Sequence, residues 1–223
     1  MKSLVFDSSS IISLATNDLL WTLRPLRLLF NGNFYIPESV KHELVDTPLH
    51  SHRFKLEAIM VSTLIRENDL LVQEHLEVER LLSSINTIFS SRGQTIKIVS
   101  KAEVEALALA LKLEAAAYVV DERTMRLLVE NPIKLHTILE SKLHTNIEIN
   151  HNILKQFKEY IKKLKIIRSA ELMMITLEKG LLNRFITEEN GKLELADALL
   201  WSLRLRGCAI STEEIDELKK IYS

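Results

Sequence analysis

Four acidic residues stand where strands are expected to end or where the next helix begins. Asp7 follows an apolar run at the start of the chain, and Asp121 follows another one far downstream. Glu43 and Glu105 lie in helical segments that come after two further strand patterns. In an open parallel sheet covered by helices, the carboxyl ends of the strands meet at one crevice. The positions of these acids therefore predict a carboxylate pocket of the kind that binds hard divalent cations.

Clustered carboxylates have a specific chemical use. Mg²⁺ and Mn²⁺ prefer oxygen ligands, and a phosphodiester supplies further oxygens of its own. Two such ions roughly 4 Å apart can generate hydroxide and stabilise the leaving oxygen of an in-line displacement. The alternative for any single acid is a solvated carboxylate or a cap for the following helix. Ser8, Ser9 and Ser10, which follow Asp7, either cap the helix, which is the commoner role, or hold a metal-bound water.

Helix geometry limits which acids can share the pocket. Glu43 lies about two turns into the helix that begins near Pro37, so it reaches the crevice only if that helix face turns inward. Glu103 and Glu105 differ by two positions, which separates them by roughly 200° around a helix. One of the two is therefore expected to be a ligand and the other its companion, and the sequence leaves that choice open.

The elements that must position these acids alternate between strand and helix. Strands are predicted, from their β-branched and aromatic residues, at Leu4 to Asp7, Phe34 to Ile36, Thr95 to Val99, Tyr118 to Asp121 and Leu164 to Ile167. Apolar periodicity predicts helices at Ser9 to Ala15, Asp18 to Phe30, Glu38 to Val45, Arg53 to Glu67, Glu74 to Ser90, Ala102 to Lys112 and Arg123 to Val129. A possible short extended piece lies at residues 69–72. The alternation predicts an α/β fold with an open parallel sheet of about five strands flanked by helices.

The pattern changes after Pro132, which restricts the residue before it and breaks the preceding helix. Helices predicted at Ile133 to Leu143 and Ile153 to Lys163 are interpreted as an insertion before the last strand. Helices follow that strand, and Ser211 is a suitable N-cap for the final one. The predicted organisation is an α/β domain at 1–130, a helical insertion at 131–163, and the last strand with a helical C-terminal extension at 164–223.

Composition bounds the class of protein. The chain has 223 residues, a net charge of −1 and a single cysteine, Cys208. One cysteine cannot form an intrachain disulfide and fits a reducing compartment, so the cytoplasm is the predicted location. The longest apolar stretch, Ala106 to Val120, contains Lys112 and Glu114 and is too short and too polar to cross a bilayer, so no membrane partner is expected. The near-neutral total does not exclude a nucleic-acid partner, because a local basic patch can lie within it.

Taken in order, the motifs around the acids resemble those of PIN-domain proteins, the family of VapC-type toxin ribonucleases and of other bacterial and archaeal nucleases. The matching stretches are LVFDSSSII at residues 4–12, IPESVKHEL at 36–44, and EVEALALA at 103–110 followed by VVDER at 119–123. The chain departs from the pattern at its last acid, which many members place two residues later, after Thr or Ser. Here the strand runs directly into Asp121 and Glu122.

The resemblance implies metal-dependent cleavage of RNA, with Mg²⁺ or Mn²⁺ as the cofactor. The catalytic acids that it implies are Asp7, Glu43, Glu105 and Asp121. The metal ligands that it implies are Asp7, Glu105 and Asp121, with Glu103 as the alternative to Glu105. The candidate substrate-binding residues are Ser9 and Arg123.

Two other functions fit the same sequence. A PIN-fold protein with an imperfect acid set would bind RNA or a protein partner without catalysis, and a toxin-type ribonuclease would be controlled by an antitoxin. The helical insertion and tail are expected to shape the substrate groove or a homodimer. Lysines between positions 155 and 165 are interpreted as a solvated helix face rather than as a phosphate-binding stripe, since Glu159 interrupts them.

Overall fold

A parallel β-sheet forms the centre of the molecule. The computed structural model describes residues 2–186 and 191–222. In chain order the strands are β1 (Lys2–Phe6), β2 (Gly32–Pro37), β3 (Leu71–Gln73), β4 (Phe89–Ser91), β5 (Gln94–Thr95), β6 (Ala117–Val119), β7 (Glu148–Ile149) and β8 (Ile166–Ile167). Five of them form one sheet in the order β3-β2-β1-β6-β8, and every pairing in it is parallel. The predicted α/β fold with an open parallel sheet of about five strands is confirmed.

Helices flank the sheet. In chain order they are α1 (Ser8–Thr16), α2 (Leu23–Phe30), α3 (Glu38–Lys41), α4 (Thr47–Leu49), α5 (Lys55–Arg66), α6 (Glu79–Ile85), α7 (Lys101–Lys112), α8 (Arg123–Glu130), α9 (Pro132–Leu143), α10 (His151–Ile161), α11 (Ser169–Glu178), α12 (Gly191–Leu205) and α13 (Thr212–Lys219). A π-helical turn at His42–Asp46 continues α3, and short 3-10 turns lie at Leu20–Thr22, Asn183–Phe185 and Lys220–Tyr222. Within the described residues, the search for membrane spans found no helix that combines the length and apolar character of one.

The central strand β1 divides the core in two. Successive side chains of a strand point to opposite faces of the sheet. Leu4 and Phe6 are accordingly buried with residues of α1, α2, α11 and α12, whereas Val5 is buried with residues of α7, α8 and α10. The rings of Phe6 and Phe34, on the neighbouring strand β2, lie 5.2 Å apart between centroids. Because apolar cores cover both faces, the parallel sheet opens to solvent only at its edges and strand ends.

The prediction of a sheet strand at Thr95 to Val99 was wrong. Only β5 is extended there, and it belongs to a separate antiparallel sheet in which β4 pairs with β5 and β7. The next residues bond to a side chain instead: Asn86 Oδ1 accepts the N–H groups of Ile98 and Val99 at 2.7 and 3.0 Å, and its Nδ2 donates to the Val99 carbonyl oxygen at 3.1 Å. The edge strand beside β2 is instead β3, which overlaps the short extended piece predicted at residues 69–72.

The helix predicted at Glu74 to Ser90 was also too long. Only α6 is helical in that stretch, and the last two residues of the predicted helix, Phe89 and Ser90, belong to β4. Arg92 and Gly93 both have positive φ, 51° and 75°, and join β4 to β5. Two successive positive-φ residues are the hallmark of a tight hairpin turn, and glycine adopts that conformation without strain. The turn signal was present in the sequence, but the helical periodicity before it concealed the strand.

Arg168 ties the C-terminal helices to the sheet. It follows β8 directly and is only 7% exposed. Its guanidinium donates hydrogen bonds to Glu171 of α11, to Glu214 of α13 (2.9 Å) and to the carbonyl oxygen of Ala209 (3.2 Å). A buried guanidinium needs such partners, because an unpaired buried charge is strongly unfavourable. α13 itself begins with the predicted Ser211 cap, in a reciprocal capping box with Glu214.

Truncating Phe6 tests the two-sided core. Phe6 is fully buried, and Phe6→Ala is expected to lower the free energy of unfolding by about 3–5 kcal/mol, because the lost apolar contacts leave a cavity. Urea denaturation monitored by circular dichroism measures the change. Leu205→Ala is the control: Leu205 is 77% exposed, and its truncation is expected to cost less than about 1 kcal/mol. Similar losses for the two variants would contradict the assigned core.

Candidate functional site

The Asp7 carboxylate lies at the carboxyl end of the central strand. It is 1% exposed and caps α1, because its Oδ2 accepts hydrogen bonds from the Ser9 N–H (3.1 Å) and the Ser9 hydroxyl (2.6 Å). Its other oxygen, Oδ1, is buried and has no hydrogen-bond partner among residues 2–186 and 191–222. A buried carboxylate oxygen without a partner is costly to maintain, so it marks a position where a cation or a proton would be stabilising.

The environment of Asp7 disfavours its negative charge. Burial first, and then the nearby carboxylates of Glu103 and Glu43, raise the pKa of Asp7 to about 7 against the opposing effect of the Ser9 hydrogen bonds. Near neutral pH the protonated and ionised forms of Asp7 are therefore both populated. Perturbed acids of this kind are concentrated at functional sites.

Two neighbouring acids, Glu103 and Glu122, accept backbone hydrogen bonds at the N-termini of their helices. Glu103 lies in the first turn of α7, where its Oε2 accepts from the Ser100 N–H at 2.6 Å and its own N–H donates to the Ser100 hydroxyl. Glu122 is the N-cap of α8 and accepts from the Met125 N–H at 2.8 Å. Burial raises the pKa of Glu103, and the charges of Glu122 and Glu43 add to that effect. Glu43 is exposed on the π-helical turn, and its charge acts on both Asp7 and Glu103. Asp7, Glu43, Glu103 and Glu122 thus form a group of four acids linked by like-charge repulsion.

The structure separates Glu103 from Glu105. Glu103 is beside Asp7, whereas Glu105 is 7% exposed and pairs with Lys101 Nζ at 3.7 Å. Glu105 lines a different polar cavity, together with Glu38 and other residues at the carboxyl end of β3. The two acids point to different neighbours, as their two-residue separation on a helix requires.

Asp121 bonds to the C-terminal part of the chain. Its Oδ1 accepts from the Ser169 N–H at 2.7 Å, its Oδ2 accepts from the Ser169 hydroxyl at 2.6 Å, and its carbonyl oxygen accepts from the Ala209 N–H at 3.1 Å. The side chain is fully buried, and burial raises its pKa. Both carboxylate oxygens are thus satisfied at the start of α11. The structure does not place Asp121 in the group of four acids.

The two predicted substrate-binding residues have different surroundings. The Ser9 hydroxyl donates to Asp7 and accepts the N–H groups of Asp121 (3.0 Å) and Glu122 (3.2 Å), so it links the first turn of α1 to the end of β6. Arg123 is exposed at the first position of α8. Glu122 is the site residue that sequence reasoning missed. The available signal was its place as the second of two successive acids after the strand.

A family model for the PIN domain matches residues 3–166. The chain belongs to the PIN-domain family. No curated protein and no solved structure matches the chain in the corresponding searches. PIN domains are generally nucleases and typically use divalent metal ions. The matched residues include Asp7, Asp121 and the glutamates at positions 43, 103, 105 and 122, whereas α11, α12 and α13 lie beyond them.

The residues of this PIN domain fit a divalent cation in donor chemistry. Asp7 Oδ1 is an unpartnered, buried carboxylate oxygen, and carboxylate oxygens are the preferred ligands of Mg²⁺ and Mn²⁺. The side chains are not drawn together into a complete ligand set: within the described parts of the chain, no group of three or more His, Cys, Asp or Glu residues is arranged to hold a metal ion. The helix caps formed by Glu103 and Glu122 account for part of this separation.

The raised pKa of Asp7 predicts an unusual pH dependence of stability. Between about pH 4 and pH 7, Asp7 keeps its proton in the folded protein and loses it in the unfolded chain. The stability that this group contributes therefore falls as the pH rises through that range. Asp7→Asn, which keeps the capping oxygen, is expected to gain about 2–4 kcal/mol relative to the natural protein between pH 4 and pH 8.

Urea unfolding at a series of pH values, with a chelator present, measures this difference. Asp216→Asn removes an exposed carboxylate and is the matched control. A stability difference between Asp7→Asn and the natural protein that stays constant with pH would contradict the assigned environment of Asp7.

Proposed function

We propose that this PIN domain is a metal-dependent endoribonuclease that hydrolyses RNA phosphodiester bonds. The observation that carries the proposal is the Asp7 carboxylate, which is buried at the carboxyl edge of the sheet with one oxygen unpartnered and the charges of Glu103 and Glu43 close to it. Glu122 lies beside Glu103. Burying one carboxylate among like charges is unfavourable for folding alone, so a function that needs this arrangement is the simplest account.

In this proposal Asp7 holds the cation, with Glu103, Glu43 and Glu122 as the other candidate ligands. Bound Mg²⁺ or Mn²⁺ supplies Lewis acidity toward the phosphodiester and lowers the pKa of water. Ser9 fixes Asp7 Oδ2, which leaves Oδ1 for the cation. Because Glu103 and Glu122 each use Oε2 in a helix cap, a side chain among the three must turn toward Asp7 to complete the ligand set.

The pKa of Asp7 fits this role. A proton and a divalent cation compete for the same carboxylate, so cation binding releases the proton that Asp7 holds near neutral pH. The cation also offsets the repulsion among the four acids, which lowers the cost of keeping them together. Cation binding is accordingly expected to stabilise the folded protein.

Replacing Asp7 tests the nuclease. Single-stranded and hairpin RNAs are incubated with the protein in Mn²⁺, in Mg²⁺ and in chelator. The natural protein is expected to cleave only with metal, and Asp7→Asn is expected to lower the rate by about a hundredfold or more, since the cation loses its buried ligand. Thermal unfolding with and without Mn²⁺ gives a second readout. Metal is expected to raise the midpoint of the natural protein and not that of Asp7→Asn.

A panel of acid variants separates the candidate ligands. Glu103→Gln and Glu122→Gln are expected to reduce cleavage, and Glu105→Gln, the matched control on the same helix as Glu103, is expected to retain it. The ligand roles of Glu105 and Asp121 stay predictions; the contacts of these residues with Lys101 and Ser169 favour structural roles. Loss of cleavage in Glu105→Gln with full activity in Glu103→Gln would reverse this assignment.

The main alternative is a non-catalytic PIN-fold protein that binds RNA or a protein partner. The observation in its favour is that Glu103 and Glu122 are both engaged in helix caps, so the acids are not gathered as they stand. A metal requirement for hydrolysis distinguishes the two functions. RNA that stays intact with either metal, after binding has been demonstrated, would support the alternative.

Control by an antitoxin, formation of a homodimer and a cytoplasmic location stay predictions. The lone cysteine on which the location rests is buried and not in a disulfide, and burial raises the pKa of its thiol to about 12. Both burial and a raised pKa lower the reactivity of a thiol toward oxidants.

A further inference from the structure

A cavity of about 330 Å³ lies beside the carboxyl edge of the sheet, between α8, α9 and the start of α13. Three cations line it, Arg123, Arg126 and Lys134, together with the carboxylates of Glu130 and Glu214. It adjoins the candidate active site, because Arg123 directly follows Glu122, whose N–H is held by the Ser9 hydroxyl that also bonds Asp7.

The carboxylates of this cavity already have partners. Arg126 pairs with Glu130 at 3.0 Å and with Glu214 at 3.8 Å, and Glu214 also accepts from Arg168 at 2.9 Å. Arg123 and Lys134 are exposed, and their side chains make no ion pair or hydrogen bond with the part of the chain that the structure describes. The cavity thus presents two unpaired cations. The buried Nε of Arg126 also has no partner among the described residues.

The electrostatics of α8 and α9 do not favour a cation at Arg123 or at Lys134. Arg123 is in the first turn of α8 and Lys134 is in the first turn of α9, and neither first turn contains an acid. The N-terminus of a helix carries partial positive charge, so a cation in the first turn is unfavourable and an anion is favourable. At α8 the carboxylate of the N-cap, Glu122, partly offsets the charge of Arg123, whereas α9 has the neutral cap Asn131 and begins at this cavity with a cation and no acid. The start of α9 therefore has the wrong charge for its own stability and the right charge for an anionic ligand.

A second cavity, of about 520 Å³, shows the opposite arrangement. It is lined by Lys112, Lys162 and Lys163, at the ends of α7 and α10. Cations at helix C-termini offset the partial negative charge there. These lysines therefore stabilise the helices that carry them. Their cavity also has three cations, so it serves as a comparison for the cavity at Arg123.

We propose that the cavity at Arg123, Arg126 and Lys134 binds a backbone phosphate of single-stranded RNA, next to the bond that is cut at Asp7. This inference rests on the proposed nuclease for the identity of the strand. Arg123 and Lys134 contact the phosphate oxygens, Arg126 forms the wall of the cavity, and the N-terminus of α9 adds favourable electrostatic attraction. The subsite recognises backbone and not base, so it fixes the position of the strand rather than its sequence.

Binding measured without metal tests the subsite separately from cleavage. Fluorescence anisotropy of a labelled 12-nucleotide single-stranded RNA is recorded in chelator over a range of KCl concentrations. Arg123→Gln/Lys134→Gln is expected to raise Kd about tenfold at 0.1 M KCl and to make the slope of log Kobs against log salt shallower by about 1.4, since each single-strand phosphate contact contributes about 0.7.

Lys112→Gln/Lys163→Gln is the matched control, because it removes the same charge from the other cavity and is expected to leave Kd and the salt slope unchanged. Thermal unfolding confirms that both double variants fold. The proposal is overturned if Arg123→Gln/Lys134→Gln binds like the natural protein, if the control variant loses as much affinity, or if the natural protein does not bind the RNA at all.

The two proposals fail in different ways. Binding that depends on Arg123 and Lys134, with no cleavage in Mn²⁺ or Mg²⁺, would retain the subsite and reject the nuclease. Metal-dependent cleavage with binding that is indifferent to Arg123 and Lys134 would retain the nuclease and reject the subsite.

Discussion

Burial of the Asp7 carboxylate at the end of the central strand is the constraint on which the rest of the site depends. The first turn of α1 must close over it, and three hydrogen-bonding groups hold that turn to β6. The Asp7 N–H and the Ser10 hydroxyl both donate to the Val119 carbonyl oxygen, at 2.9 and 3.1 Å. The Ser9 hydroxyl accepts the N–H of Glu122. These hydrogen bonds around Asp7 therefore join the end of β1 and the first turn of α1 to the end of β6 and the start of α8.

The two buried aspartates of the sheet show that burial alone does not identify a ligand. Asp7 and Asp121 both end strands, both are almost fully buried, and burial raises the pKa of each. The difference is in their hydrogen bonds. Asp121 has both oxygens satisfied by Ser169, whereas Asp7 keeps Oδ1 without a partner in the described structure. An unmet acceptor distinguishes an acid available for a cation from one that joins two parts of the fold.

Periodicity in the sequence was enough to predict the parallel sheet, most of its helices and the place of Asp7, because these depend on local apolar pattern and on the rule that strand ends converge. The features that could not be predicted depend on contacts between residues that are distant in the sequence or on the orientation of one element against another. Asn86 holds residues 98 and 99 away from any sheet, and no local pattern reveals that. The choice of Glu103 over Glu105 as the neighbour of Asp7 follows from the rotation of α7, which the Ser100 capping box fixes. The capping box can be recognised as a sequence motif, but the motif does not reveal which face of α7 turns toward Asp7.

The bond between Asp121 and Ser169 joins residues 48 positions apart and has a consequence for the order in which the molecule is made. Domains fold as the chain leaves the ribosome, and contacts between distant residues form late. The strand β6 cannot pair with β8, and the Asp121 carboxylate cannot bond to Ser169, until the residues around Ser169 have emerged from the exit tunnel. A nascent chain that ends before them carries every acid of the carboxylate group but lacks the closed edge that holds the end of β6. Completion of this edge is thus tied to late synthesis of the C-terminal helices, outside the family-matched residues.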